Sequence, residues 1–165
     1  MTDKDESWKD KIVTPRVGVA GVVLRKSITI DKGTSYQHKM PAYVLMIRRV
    51  YPPHGIAFPG GFQEIGETVA QTAVREVKEE TNISTIPIGL MRINTMPRTD
   101  PRFHVTALYV YMSARDHRQA TCGDDAAEAF WMSLNDYSLE HEMSNTTISV
   151  LNCLRENNIR TIPLG

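Results

Sequence analysis

Residues 61 to 83 read GFQEIGETVAQTAVREVKEETNI, and the segment REVKEET within them gathers Glu76, Glu79 and Glu80 where a helix should be ending. Carboxylates near a helix C-terminus face the negative end of the macrodipole, at about 0.3 to 1 kcal/mol each. Like charges three and four residues apart add to that cost. A helix is nonetheless well signalled. Thr68 with Gln71 three residues later fits a capping box, and Asn82 supplies a residue suited to the left-handed conformation that ends many helices. At 100° per residue Val69, Ala70, Ala73, Val74 and Val77 share one face, and the three glutamates occupy an adjacent sector. Three carboxylates on one rigid element suit a hard divalent cation such as Mg²⁺ or Mn²⁺, which takes oxygen ligands.

Upstream, Gly60 and Gly61 let the chain turn, and Glu67 sits where the helix begins. Arg75 precedes Glu76 and lies four residues before Glu79, so its fork of donors is suited to orienting Glu67, Glu79 or another acid of the loop. An E/K-rich stretch in an arbitrary sequence is usually the solvated side of an amphipathic helix. The glycines and Glu67 shift that balance.

Outward from the helix, Arg16 to Arg25 (RVGVAGVVLR) reads as a buried strand and Ala42 to Val50 (AYVLMIRRV) as a second. YPPHGIAFPGG (51–61) reads as a loop around a short strand at Ile56 to Phe58. Ile88 to Asn94 and Phe103 to Met112 are spaced to pair with each other, Glu128 to Leu134 is a further short strand, and a last helix runs from about Asn145 to Glu156 on the stripe Ile148, Leu151 and Leu154.

The 165 residues suffice for one domain with a core, expected over 1–165 with its centre at about 16–157. Lys plus Arg equals Asp plus Glu at 19 each, so no global field favours nucleic acid or a membrane surface as partner, and there is no basic patch or appended DNA-binding segment. Cys122 and Cys153 lack metal-ligand spacing and make a poor disulfide framework, which points to a reducing, cytoplasmic setting. No apolar run approaches the roughly 18 residues of a membrane span, and the N-terminus lacks the apolar stretch of a secretory signal.

Gly61, five residues, Glu67, seven residues, then Arg75-Glu76-Val77-x-Glu79-Glu80-x-Asn82-Ile83 resembles the Nudix box of the Nudix hydrolases. One fixed position departs: Asn82 stands where the family has glycine, and Asn keeps access to the left-handed backbone. The resemblance implies an α/β fold, an α/β/α sandwich with a central mixed β-sheet. It also implies Mg²⁺- or Mn²⁺-dependent hydrolysis of a nucleoside diphosphate linked to another moiety, with water as nucleophile. Carried over residue by residue, Glu76 and Glu80 are metal ligands, Glu79 a further ligand or the base, the Gly61 carbonyl another ligand, and Arg75 with Glu67 the supporting pair.

RTDPRFHVTALYVY and CGDDAAEAFW resemble the ADP-ribose pyrophosphatase branch. That likeness places Asp100 and Arg102 near a nucleotide substrate, makes Glu128 a second candidate for base or metal ligand, and leaves Asp124 and Asp125 as thirds. Arg48 and Arg49 alternate on their strand, so that either could reach a phosphate. Tyr51, Phe58 and Phe62 are placed for base stacking, although the core competes for them. For Trp131 a core role outweighs one as an adenine platform. The histidines show no paired ligand spacing and receive no role. The reaction expected is ADP-ribose to AMP and ribose 5-phosphate. Nucleoside triphosphates, other nucleotide sugars, dinucleoside polyphosphates and RNA 5′ ends are the alternative substrates, and a non-catalytic nucleotide sensor is the alternative class. The complete acidic set argues against the sensor. Dimers are common in that branch, so a homodimer is a further expectation.

Overall fold

The computed structural model describes residues 16–25, 43–96, 105–115, 118–123 and 126–164. Its strands are β1 (Arg16–Arg25), β2 (Tyr43–Arg49), β3 (Gly55–Ala57), β4 (Gly60–Phe62), β5 (Thr85–Asn94), β6 (Val105–Ala114) and β7 (Ala126–Ser133). The helices are α1 (Val69–Thr81) and α2 (Asn145–Arg155), with a 3-10 turn at Glu140–Glu142 between β7 and α2.

β1 is valine-rich because both of its faces are covered, as a central strand requires. Val19 and Val23 pack with Leu45, Ala73, Val77 and Ile83 under α1. Val22 packs with Val44, Met46, Leu151 and Leu154 under α2. The sheet is mixed: β1 runs parallel to β6 from Arg16↔Val105 to Leu24↔Ser113, whereas β1–β2, β1–β4, β2–β3, β2–β7 and β5–β6 are antiparallel. A mixed sheet with a helix on each face is the sandwich expected from the sequence.

β1 and β2 pair only at Leu24↔Val44 and Arg25↔Tyr43 and then diverge. β3 lines the inner edge of β2, β4 lines that of β1, and Phe58 and Pro59 join them across the gap. The sheet therefore opens as a V, and a cleft forms where it opens.

Several boundaries differ from the sequence reading. β4 was expected to be loop. Its pairing partner lies some forty residues earlier in β1, and no local pattern marks such a contact. β5 begins at Thr85, earlier than expected, and tolerates Pro87 because it lies at the end of the strand order β3-β2-β1-β6-β5. The stripe of α2 is centred on Thr147, Val150, Leu151 and Leu154, with Ile148 only half-buried. Phe103 lies outside the described residues. No helix among the described residues is long and apolar enough to cross a membrane.

Candidate active site

α1 begins as its sequence signals. The Thr68 hydroxyl accepts from Gln71 N–H, and the Gln71 side chain accepts from Thr68 N–H at 2.8 Å. It ends at Asn82, whose φ is 56° and whose N–H donates to the Lys78 carbonyl. The N–H groups of Thr121 and Gly123 then donate to the Thr81 and Glu80 carbonyls, both at 3.1 Å, occupying acceptors that a helix C-terminus leaves open.

Arg75 organises the acids around it. Its Nε and Nη2 donate to the two oxygens of Glu67 at 2.7 and 2.9 Å, a fork-to-fork pair. Nη1 donates to Glu76 at 2.7 Å and Glu79 at 3.2 Å, and Nη2 also reaches the Phe62 carbonyl. Glu67 accepts further from the Thr72 hydroxyl and Glu64 N–H. The Arg75 guanidinium, above all, holds the Glu67 carboxyl at about 2. Glu76 moves the other way: burial raises its pKa and outweighs the lowering by Arg75. Its side chain is only 14% exposed. A buried carboxylate with a share of one guanidinium is undercompensated, and a cation would relieve it.

The cleft, about 450 Å³, is lined by Glu76 and Glu80 of α1, by Gly60 and Gly61 of β4, and by Arg49. Gly61 has no Cβ, and one placed there would lie 2.3 to 2.6 Å from the Glu76 carboxylate atoms. A side chain at this position would therefore have to push the Glu76 carboxylate away from the strand. Glu80 accepts from Gly60 N–H at 2.7 Å, so both carboxylates are referenced to one short strand.

The three glutamates do not converge as the helical wheel suggests. Glu79 is 59% exposed, turned toward Arg75, and absent from the cleft lining. Among the described residues no group of three or more His, Cys, Asp or Glu side chains is arranged to hold a metal ion. Glu76 and Glu79 share Arg75 Nη1, whereas Glu80 turns to Gly60 N–H. Two carboxylates at the cleft wall still fit Mg²⁺ or Mn²⁺, since Mg²⁺ commonly binds one or two carboxylates and completes its shell with water and substrate phosphate.

Arg49 lines the cleft and is half-buried, with no ion pair to any described residue. Arg48 points to the other face, toward α2, where it bonds Glu142 and, at 3.4 Å, Glu128. Glu128 is thus the cross-strand partner of Arg48, and neither belongs to the cleft lining. Phe62 and Tyr51 line the cleft, and the Arg16 guanidinium stacks on the Phe62 ring 3.5 Å from its centroid. Phe58 also borders the cleft, but it is core, packed edge-on against Tyr109. Trp131 packs beside the α1 cluster under the Arg25 guanidinium. Asp100, Arg102, Asp124 and Asp125 lie outside the described residues. Sequence reasoning missed Ser144, Thr146 and Thr147, which reach the cleft from the first turn of α2. Only the Ser144 N-cap could have flagged that turn.

Comparison with known proteins adds a family signal. Residues 28–151 match the model of the NUDIX domain. The chain is 38% identical over 104 residues to an ADP-ribose pyrophosphatase of Methanocaldococcus jannaschii, an alignment covering 60% of this chain and 61% of that protein. It therefore spans less than two thirds of that relative's length. A NUDIX hydrolase from Nitrosomonas europaea superposes with a TM-score of 0.68 at 17% identity, covering 89% of this chain and 74% of the other. A bifunctional NMN adenylyltransferase/ADP ribose pyrophosphatase from Francisella tularensis, complexed with AMP and a manganese ion, gives 0.65 at 23% identity, covering 92% and 45%. These two similarities bear on the fold.

Proposed function

This chain belongs to the NUDIX domain family, and on that premise we propose that it is a metal-dependent hydrolase cleaving ADP-ribose to AMP and ribose 5-phosphate. The family typically uses a divalent metal. The observation that carries the reading is the approach of Gly61 to the Glu76 carboxylate at the wall of a cleft that also holds Glu80 and Arg49. The ADP-ribose pyrophosphatase of Methanocaldococcus jannaschii supports the choice of substrate.

In this reading Glu76 and Glu80, with the Gly61 carbonyl, hold the cation. When bound it supplies positive charge to the phosphoryl oxygens and to activation of the attacking water. Arg75 fixes the orientation of Glu76 through Nη1 while Glu67 holds the guanidinium by its other edge. Arg49 neutralises a phosphate oxygen within the cleft, which phosphoryl transfer needs because catalysis there is largely positioning and charge stabilisation. Water adds to one phosphorus and the bridging P–O bond breaks, so that each product keeps one phosphate.

The test is a substrate panel with chromatographic identification of products, run with Mg²⁺ and with Mn²⁺. AMP and ribose 5-phosphate should form in equal amounts from ADP-ribose. Much faster release of pyrophosphate from nucleoside triphosphates, or faster cleavage of other nucleotide sugars, dinucleoside polyphosphates or capped RNA, would overturn the substrate assignment.

A further inference from the structure

We propose that Arg48 pins a clasp between the β2–β3 wall of the cleft and the start of α2, which makes Arg48 and Glu142 positioning residues for whatever the cleft binds. The adjacent arginines of β2 divide the work. Arg49 faces the cleft, and Arg48, on the opposite face, donates through Nη1 and Nη2 to the two oxygens of Glu142.

Glu142 closes the 3-10 turn of the connection from β7 to α2, and two further ties fasten that connection at the same place. Met143 forms a parallel bridge with Ile56 of β3. Gly55, at φ +121°, lies against the Glu142 carbonyl, where a Cβ would come within 2.4 Å of the oxygen. That φ is one that L side chains rarely adopt, so the backbone there is committed to this contact. Two residues after Glu142 comes Ser144, the N-cap of α2, whose hydroxyl accepts from Thr147 N–H at 3.1 Å.

Ser144, Thr146 and Thr147 line the cleft, and so do Gly55, Ile56 and Ala57 of the neighbouring strand. The ion pair therefore ties together two abutting elements that both contribute to the cleft lining. Its grip is one close contact from Nη1, with Nη2 at 3.5 Å from the other oxygen, and it is partly shielded, Arg48 being 35% and Glu142 30% exposed. Glu128 is a weaker third member, 56% exposed and 3.4 Å from Arg48 Nε. None of these three side chains bonds to Glu76 or Glu80.

This inference rests on the reading that the cleft binds ADP-ribose only for its kinetic arm. In that arm Arg48→Ala and Glu142→Ala should each raise KM for ADP-ribose about tenfold with kcat within twofold, and the double variant should be no worse than either single one. Arg48→Lys, which retains the charge, should lie between Arg48→Ala and the wild type. A kcat loss at unchanged KM, or single effects that multiply, would overturn the clasp. The second arm needs no substrate. Amide hydrogen exchange of the free protein should accelerate at 143–147 in Arg48→Ala and Arg48→Lys while 69–81 keeps its protection. Uniform acceleration, or none, would show that the pair contributes only general stability. If the wild type leaves ADP-ribose intact, the proposed function fails and the exchange result still decides the clasp.

Discussion

Gly61→Ala is the substitution with the most sharply defined consequence. The new Cβ would lie 2.3 Å from the nearest Glu76 oxygen, and ordinary contact begins at 3.4 Å, so the carboxylate must retreat by about 1 Å. The backbone has little room to absorb the strain, because Gly61 is paired with Val19 of β1. A displacement of about 1 Å in a group that positions reacting atoms can lower rate about 100-fold, or about 2.7 kcal/mol. The assay is kcat/KM for ADP-ribose with thermal unfolding measured in parallel. Gly66→Ala is the control: Gly66 sits at φ +90° with nothing within 4 Å of its would-be Cβ. It should cost about 1 to 2 kcal/mol of stability and leave turnover of the folded protein within a few-fold. Wild-type activity in Gly61→Ala would refute the placement of Glu76 against β4.

Arg75→Lys keeps a charge but loses the fork that bonds Glu67, Glu76 and Glu79 together, so activity or metal affinity should fall about 10- to 100-fold; an unchanged metal titration would refute the orienting role. Stability should depend on pH through Glu67, whose carboxyl titrates at about 2 in the folded chain against an ordinary 4.5. Its folded value is the lower, so its contribution is complete above about pH 4.5 and is lost as pH falls toward 2. Urea midpoints from pH 6 to pH 2 should accordingly fall more steeply for the wild type than for Glu67→Gln. Chelation should abolish turnover, and added Mg²⁺ or Mn²⁺ should restore it; full activity in chelator would remove the metal from the account.

What the sequence disclosed depended on how local the signal was. Thr68, Gln71 and Asn82 bound α1 to the residue because caps are properties of a few neighbouring side chains. The strand pattern of β1 was equally plain. β4 was hidden, since a three-residue Gly-Gly-Phe segment becomes a strand only by lying on β1. The wheel grouped Glu76, Glu79 and Glu80, but tertiary packing decides which of them faces the cleft, and it turns Glu79 outward. Alternation pointed Arg48 and Arg49 to different faces, with either able to reach a phosphate. Which one meets the cleft depends on how β2 lies between β3 and β7, and that is a non-local fact. The contribution of α2 was hidden for the same reason, because Ser144 reads as a cap and its place beside β3 follows from the Ile56–Met143 bridge.

The account stands most directly on whether the two cleft carboxylates carry out metal-dependent cleavage. The decisive measurement is chromatography of ADP-ribose incubated with Mg²⁺ and the wild-type protein, beside Glu76→Gln and Glu80→Gln. Equimolar AMP and ribose 5-phosphate from the wild type, with rates lower by at least about 100-fold in both variants, is the predicted result. Undiminished turnover in either variant, or intact ADP-ribose with the wild type, would contradict it.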